Sequence, residues 1–266
     1  MTAQSSAVAR GTSTAPRHAL LGFGTVVGKE FTEWVRGPKA LIILGISVLG
    51  AVFMTLIPFI AEATNEAESA GLLSHDPTAN VLLGWTGQTV ALIAVLSTMA
   101  LLSTERDRGT LAWTLTNPVS PTSVIAAKYV VALGVFVTTA LLLPMIVSIA
   151  LATVVYGGVP DLRVIGTFLG LFVALPAFYI ALTVALGTGV KSTVGIAGIA
   201  FAVMFLPQVI GGLLPVVADL SPTSIGTWAL HVAKGEPASM LTPIGWAISM
   251  VVLIVGAKLV FERQEL

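Results

Sequence analysis

Residues 39–61 read KALIILGISVLGAVFMTLIPFIA, and after Lys39 no charge appears until Glu62. A bilayer-spanning helix needs about 20 consecutive, mainly apolar residues. A core helix of a soluble domain instead alternates apolar and polar residues at a period of 3.6. This run is apolar all round, so it reads as a membrane span. Five further segments follow the same pattern, roughly 80–102, 124–156, 163–187, 194–217 and 241–260. A β-barrel would show short alternating segments instead. The expected fold class is therefore all-α, a polytopic membrane protein with six transmembrane helices.

Composition agrees. Of 266 residues 56% are hydrophobic and 10% are charged, against about 25% charged in a soluble domain. The mean hydropathy is +0.97. Formal net charge is zero, so global charge names no partner and offers nothing to a nucleic acid. With no cysteine there is no disulfide, iron–sulfur cluster or thiolate metal site. His18, His75 and His231 lie far apart, without ligand spacing. Residues 1–19 are rich in Ser, Thr and Ala and contain no apolar core. They read as a disordered tail, leaving 20–266 as one membrane domain.

Lys and Arg set the orientation. With the N-terminus inside, Arg10, Arg17, Lys29, Arg36, Lys39, Arg106, Arg108, Lys128, Lys191, Lys258 and Arg263 all fall on the cytoplasmic side. Only Arg163 and Lys234 fall outside, where the acids Glu62, Glu66, Glu68, Asp76, Asp161, Asp219 and Glu236 collect. Both termini are expected in the cytoplasm, with the chain in the cell's inner (cytoplasmic) membrane.

Two stretches read as helices lying on the membrane. In residues 20–36, Leu20, Phe23, Val27, Phe31 and Trp34 recur at helical spacing, with Lys29, Glu33 and Arg36 on the other face. Trp34 and the basic residues suit the headgroup level. Ser221-Pro222 then opens a short outer helix carrying Ile225, Trp228, Ala229 and Val232, and Gly235 stops it. Pro58, Pro144, Pro176 and Pro207 punctuate the spans as kinks of packing or as hinges.

The densest charge lies in the cytoplasmic loop 103–123, as Glu105-Arg106-Asp107-Arg108 followed by Gly109 and Thr110. Exposed pairs contribute little stability, so the charges alone describe a solvated loop. The next residues place Leu111, Trp113 and Leu115 on an amphipathic turn that ends at Asn117-Pro118. An apolar turn in a cytoplasmic loop calls for a partner groove.

The stretch from Glu105 to Tyr129 resembles the loop between spans two and three of type-2 ABC-transporter permeases. Glu105, Gly109, Thr110, Leu111, Leu115, Pro118, Ser120 and Lys128 match that pattern. Lys29, Glu30, Arg36 and Pro38 match the family's entry helix. The architecture is closest to the short stand-alone permeases. The resemblance implies that residues 105–115 form the coupling helix docking on an ATP-binding-cassette ATPase subunit. It also implies a second permease subunit, identical or related, and a path between the two lined by spans two and five. Gln88, Phe201, Phe205 and Gln208 are the candidates for that path, and export is the expected direction.

Gly187-Thr188-Gly189-Val190-Lys191-Ser192-Thr193 echoes a phosphate-binding loop, but Val190 stands where that motif needs Gly and no strand precedes it. It reads as a tight turn. No cofactor is expected in this chain, and ATP and Mg belong to the partner ATPase. No ionisable residue falls near a span centre, whereas ion-coupled carriers and intramembrane enzymes place carboxylates, His or Lys there. Lys128, Arg163 and Lys258 lie near span ends and are expected to snorkel. The neutral polar residues Gln88, Thr89, Ser97, Thr98, Thr138, Thr139 and Gln208 are expected mainly to bond between helices. Gly166 and Gly170 are expected to allow close helix packing. The competing readings are a membrane scaffold or receptor that anchors a cytoplasmic partner, and a gradient-driven carrier.

Overall fold

The computed structural model describes residues 22–63, 76–85, 87–103 and 121–262. The loop carrying Glu105 to Leu115, the tail 1–19 and Glu66 and Glu68 lie outside the described residues. Among the described residues every regular element is helical. Six helices are long and apolar enough to cross a membrane: Pro38–Ala61, Pro77–Thr98, Thr122–Tyr156, Leu162–Gly189, Thr193–Gly211 and Leu241–Val260. The chain is a multi-pass membrane protein.

Helix α1 (Phe23–Arg36) precedes span one, α2 (Pro38–Ala63), whose first residue is a proline that needs no donor there. Span two is α3 (Pro77–Leu83) and α4 (Gln88–Thr98), and span three is α5 (Pro121–Phe136), a π turn (Val137–Leu142) and α6 (Leu143–Tyr156). Span four is α7 (Leu162–Phe172) with α8 (Ala174–Gly189), and span five is α9 (Thr193–Gly211). Two short helices, α10 (Pro215–Leu220) and α11 (Ile225–Lys234), separate it from span six, α12 (Leu241–Glu262).

The ends are written in the sequence. Asp76 caps α3 by accepting from the Thr78 amide at 2.9 Å, and Asp161 caps α7 from the Arg163 amide at 2.8 Å. Gly157 (φ 70°) and Gly235 (φ 73°) end α6 and α11 in the left-handed region, where a side chain would be strained. Six alternating spans put α1, Ser103, the 190–192 turn and the end of α12 on one side, here the near side. The other end is the far side.

Span four is the centre of the bundle. Its most apolar window is 61% buried, against 11% for span six. Phe172, Leu175, Tyr179 and Ile180 are fully enclosed, and Phe172 meets Trp85 edge-on with ring centroids 6.5 Å apart. On the far side α12 approaches α10 so closely that a Cβ on Gly245 would collide with the Leu220 carbonyl oxygen. Gly245→Val is therefore expected to cost about 1–3 kcal/mol through overpacking. Gly256→Val, where nothing lies within 4 Å, serves as the control. Reversible unfolding in mixed micelles measures both, and equal midpoints would refute the close approach.

Several expectations change. Span two is broken at residues 84–87, not continuous over 80–102; Gly87 has φ 108°, and a Cβ on Gly84 would sit 2.6 Å from Met54 Cβ on span one. Span five stops at Gly211, not near 217, because a glycine pair and Pro215 turn the chain into α10. Span four is split where Pro176 would otherwise face an α-helical carbonyl. Gly166 and Gly170 meet no neighbour within 4 Å in this chain; α7 instead buries Ile165, Phe168 and Phe172. The buried face of α1 is Val26, Glu30 and Trp34, while Phe31 is exposed.

Candidate functional site

The near side holds a buried ion pair between helices. Glu30 sits on the inward face of α1 and Lys128 lies two turns into α5. Lys128 Nζ donates to Glu30 Oε1 at 2.8 Å, with both side chains about 97% buried or more. Lys29, half exposed, lies 3.9 Å from the same carboxylate oxygen and 3.5 Å from Glu33. Lys128 therefore does not snorkel, contrary to expectation; it is an ion pair sealed between α1 and span three. Trp34 is buried beside it, and Lys39 Nζ stands 5.9 Å from the indole centroid. Lys29 and Arg36 point outward from α1.

A second tie lies at the end of span two. The Ser103 hydroxyl shares a 2.8 Å hydrogen bond with the Thr193 hydroxyl at the start of span five. One turn deeper, Thr98 bonds Thr183 of span four at 2.8 Å, both enclosed. Thus Ser103, the last described residue before the 104–120 segment, and Lys128, shortly after it, are each fixed to another helix. The polar residues of the spans otherwise bond mostly within their own helices: Ser97 to the Ala94 carbonyl, Thr138 to Gly134, Thr139 to Val135 and Gln208 to Met204. Of those named from the sequence, Thr98 is the one seen bridging two helices among the described residues.

The predicted path residues face outward. Gln88 follows the span-two break and is exposed; Phe205 and Gln208 are exposed on α9, with Phe201 half-buried one turn below Phe205. Phe201, Phe205 and Gln208 share one face of span five at i, i+4 and i+7. Spans two and five touch, α4 against α9. No hydrogen bond joins Gln88 to Gln208 among the described residues, so they do not form one cluster within a single chain. A cavity of about 50 Å³ lies between spans one and two, lined by Ser47, Gly50, Gly84 and Thr89, and includes none of the four. The phosphate-loop echo is a turn: α8 ends at Gly189, and the Ser192 hydroxyl caps α9 by accepting from the Gly195 amide at 3.3 Å. No group of three or more potential metal-ligating side chains occurs among the described residues.

A family model for the ABC-2 family transporter protein matches residues 25–234. The chain belongs to that family. It is a type-2 ABC-transporter permease, of a family whose members are membrane components and not themselves the ATPase, and which implies an ATP-binding-cassette ATPase as partner. The match begins inside α1 and runs to the end of α11, so it takes in both members of the buried pair. No individual curated protein matches the permease.

Sequence reasoning names Glu30 and Lys128 separately, as motif residues, and misses that they meet. They are 98 positions apart, and no periodicity links them. It also misses Ser103 and Thr193, whose hydroxyls carry no signal in an apolar context.

Proposed function

We propose that this permease is one of two such subunits in an ATP-driven exporter, and that residues 105–115 receive the ATPase's motion. The near side is then cytoplasmic, as the distribution of Lys and Arg requires. ATP and Mg are held by the ATPase. Glu105, Arg106, Asp107 and Arg108 make polar contacts with it around Gly109 and Thr110, and Leu111, Trp113 and Leu115 fill its groove. α1, with Lys29 and Arg36 on its exposed face, rests at the lipid headgroups, while Trp34, expected there, is buried against the bundle.

The observation that carries this reading is the fixing of both flanks of the 104–120 segment. A displacement of a loop with slack ends would be absorbed locally. Here one flank is bonded to span five through Ser103–Thr193 and the other to α1 through Lys128–Glu30. Motion at the loop therefore reaches spans two, three and five together, and biases the bundle between two states. Gln88, Phe205 and Gln208 lie on the outer surface of spans two and five, with Phe201 half-buried beside them. Uncharged amides there suit a path completed by a second permease better than bare lipid contact.

The test is purification from native membranes with identification of the co-purifying protein. An ATP-binding-cassette ATPase is expected, with ATP-dependent transport after joint reconstitution and no ATP hydrolysis by the permease alone. Hydrolysis by the permease freed of its partner would overturn the division of labour.

A further inference from the structure

On the far side the segment between spans five and six folds around a pocket of about 310 Å³, lined by Asp219, Ser224, Thr227, Trp228, His231 and Ser239 among others. α10 supplies Asp219, α11 supplies Thr227, Trp228 and His231, and the approach to α12 supplies Ser239. Two of the four hydroxyls that line it, those of Ser224 and Thr227, commit their hydrogens elsewhere. Ser224 donates to the Ala218 carbonyl at 2.7 Å and Thr227 to the Ser224 carbonyl at 3.0 Å. Into the pocket these oxygens offer lone pairs only. Asp219 adds a carboxylate. His231 Nδ1 lies 3.8 Å from Glu236 Oε2, so any charge on the imidazole is balanced there and does not offset Asp219. Lys234, the only Lys or Arg between residues 192 and 257, is exposed and does not line the pocket. Trp228 adds an aromatic side chain to the lining, and aromatic rings attract cations; its indole N–H is buried away from solvent, with no partner among the described residues.

We infer that this pocket binds a primary alkylammonium group. Acceptors and one net negative charge dominate its wall, which matches a cation with three N–H donors. A quaternary ammonium has the charge but no donor for the hydroxyl and carboxylate oxygens. The ammonium can come from a lipid headgroup or from a free amine. Both present the same chemistry to Asp219, Thr227 and Trp228.

The test uses the full chain in phosphatidylglycerol nanodiscs, titrated with propylammonium and followed by saturation-transfer NMR. Saturable binding is expected, weakened about tenfold in Asp219→Asn and about as much when tetramethylammonium replaces propylammonium. Thr227→Val, at an exposed helical position, removes lone pairs without touching the core and is expected to weaken binding about threefold. Affinity unchanged in both variants, or equal affinity for tetramethylammonium, overturns the proposal. Adding phosphatidylethanolamine to the nanodiscs separates the sources. A weaker apparent affinity for propylammonium identifies the lipid headgroup as the occupant, and an unchanged one identifies a free amine. The readout is binding, not transport, so failure here leaves the coupling proposal standing.

Discussion

Glu30→Leu is expected to destabilise the permease by about 3–5 kcal/mol, the cost of breaking a buried ion pair by removing one of its members. The Lys128 ammonium, 2% exposed, would lose the carboxylate it touches at 2.8 Å. Lys128→Met leaves Glu30 with Lys29 at 3.9 Å, and that half-exposed lysine can lean inward. The double variant Glu30→Leu, Lys128→Met should recover most of the loss, because paired apolar replacement of a buried ion pair is often close to neutral. Unfolding in mixed micelles of wild type, both single variants and the double variant gives the coupling energy directly. Additive single losses would mean that the two side chains do not meet.

The other large effect is functional. Leu111→Asp with Trp113→Asp should reduce ATP-driven transport to background while leaving the unfolding midpoint at the wild-type value. If these side chains fill a groove on the ATPase, two carboxylates placed there lose their hydration without gaining partners, which is costly for each. Both residues stand in the sequence between spans two and three, so the change alters the length and apolar character of neither span. Transport at the wild-type rate in reconstituted vesicles would remove the docking role. A fall in both transport and stability would assign these residues to the fold instead.

The spans were legible because lipid imposes a simple demand. A run as long and as uniformly apolar as 39–61 would leave no polar face for water to solvate, so only a bilayer suits it. Caps were legible for the same reason of local chemistry: Ser221-Pro222 and Gly235 bracket the far-side helix as read, though Pro222–Ser224 forms a 3₁₀ turn before Ile225. What hydropathy hides is backbone geometry. Gly84 and Gly87 break span two without lowering its apolar character enough to show, and the end of span five is masked by Leu213, Leu214, Val216 and Val217. Burial on α1 escapes an amphipathic reading because such a reading counts any carboxylate as surface. Glu30 is inside only because Lys128 is there to meet it. The proposed path residues rest on resemblance alone, since nothing within one chain decides what a second chain would cover.

The π turn of span three has a bearing beyond its own six residues. Pro144 lacks the amide that an ordinary turn would aim at Ala140, and the wide turn before it gives the ring room; the Leu143 amide reaches back to the Thr138 carbonyl instead. The near half of the span is indexed by Lys128 on Glu30. The far half is indexed by the Tyr156 hydroxyl, which donates to the Thr55 carbonyl of span one at 2.7 Å. One residue gained or lost within α5 would swing Lys128 about 100° around the axis. The turn between the halves is where the helix already accommodates an extra residue without interruption. The longest span is thus two rulers joined end to end, each read against a different neighbour. The near end and the far end can accordingly diverge in sequence at separate rates.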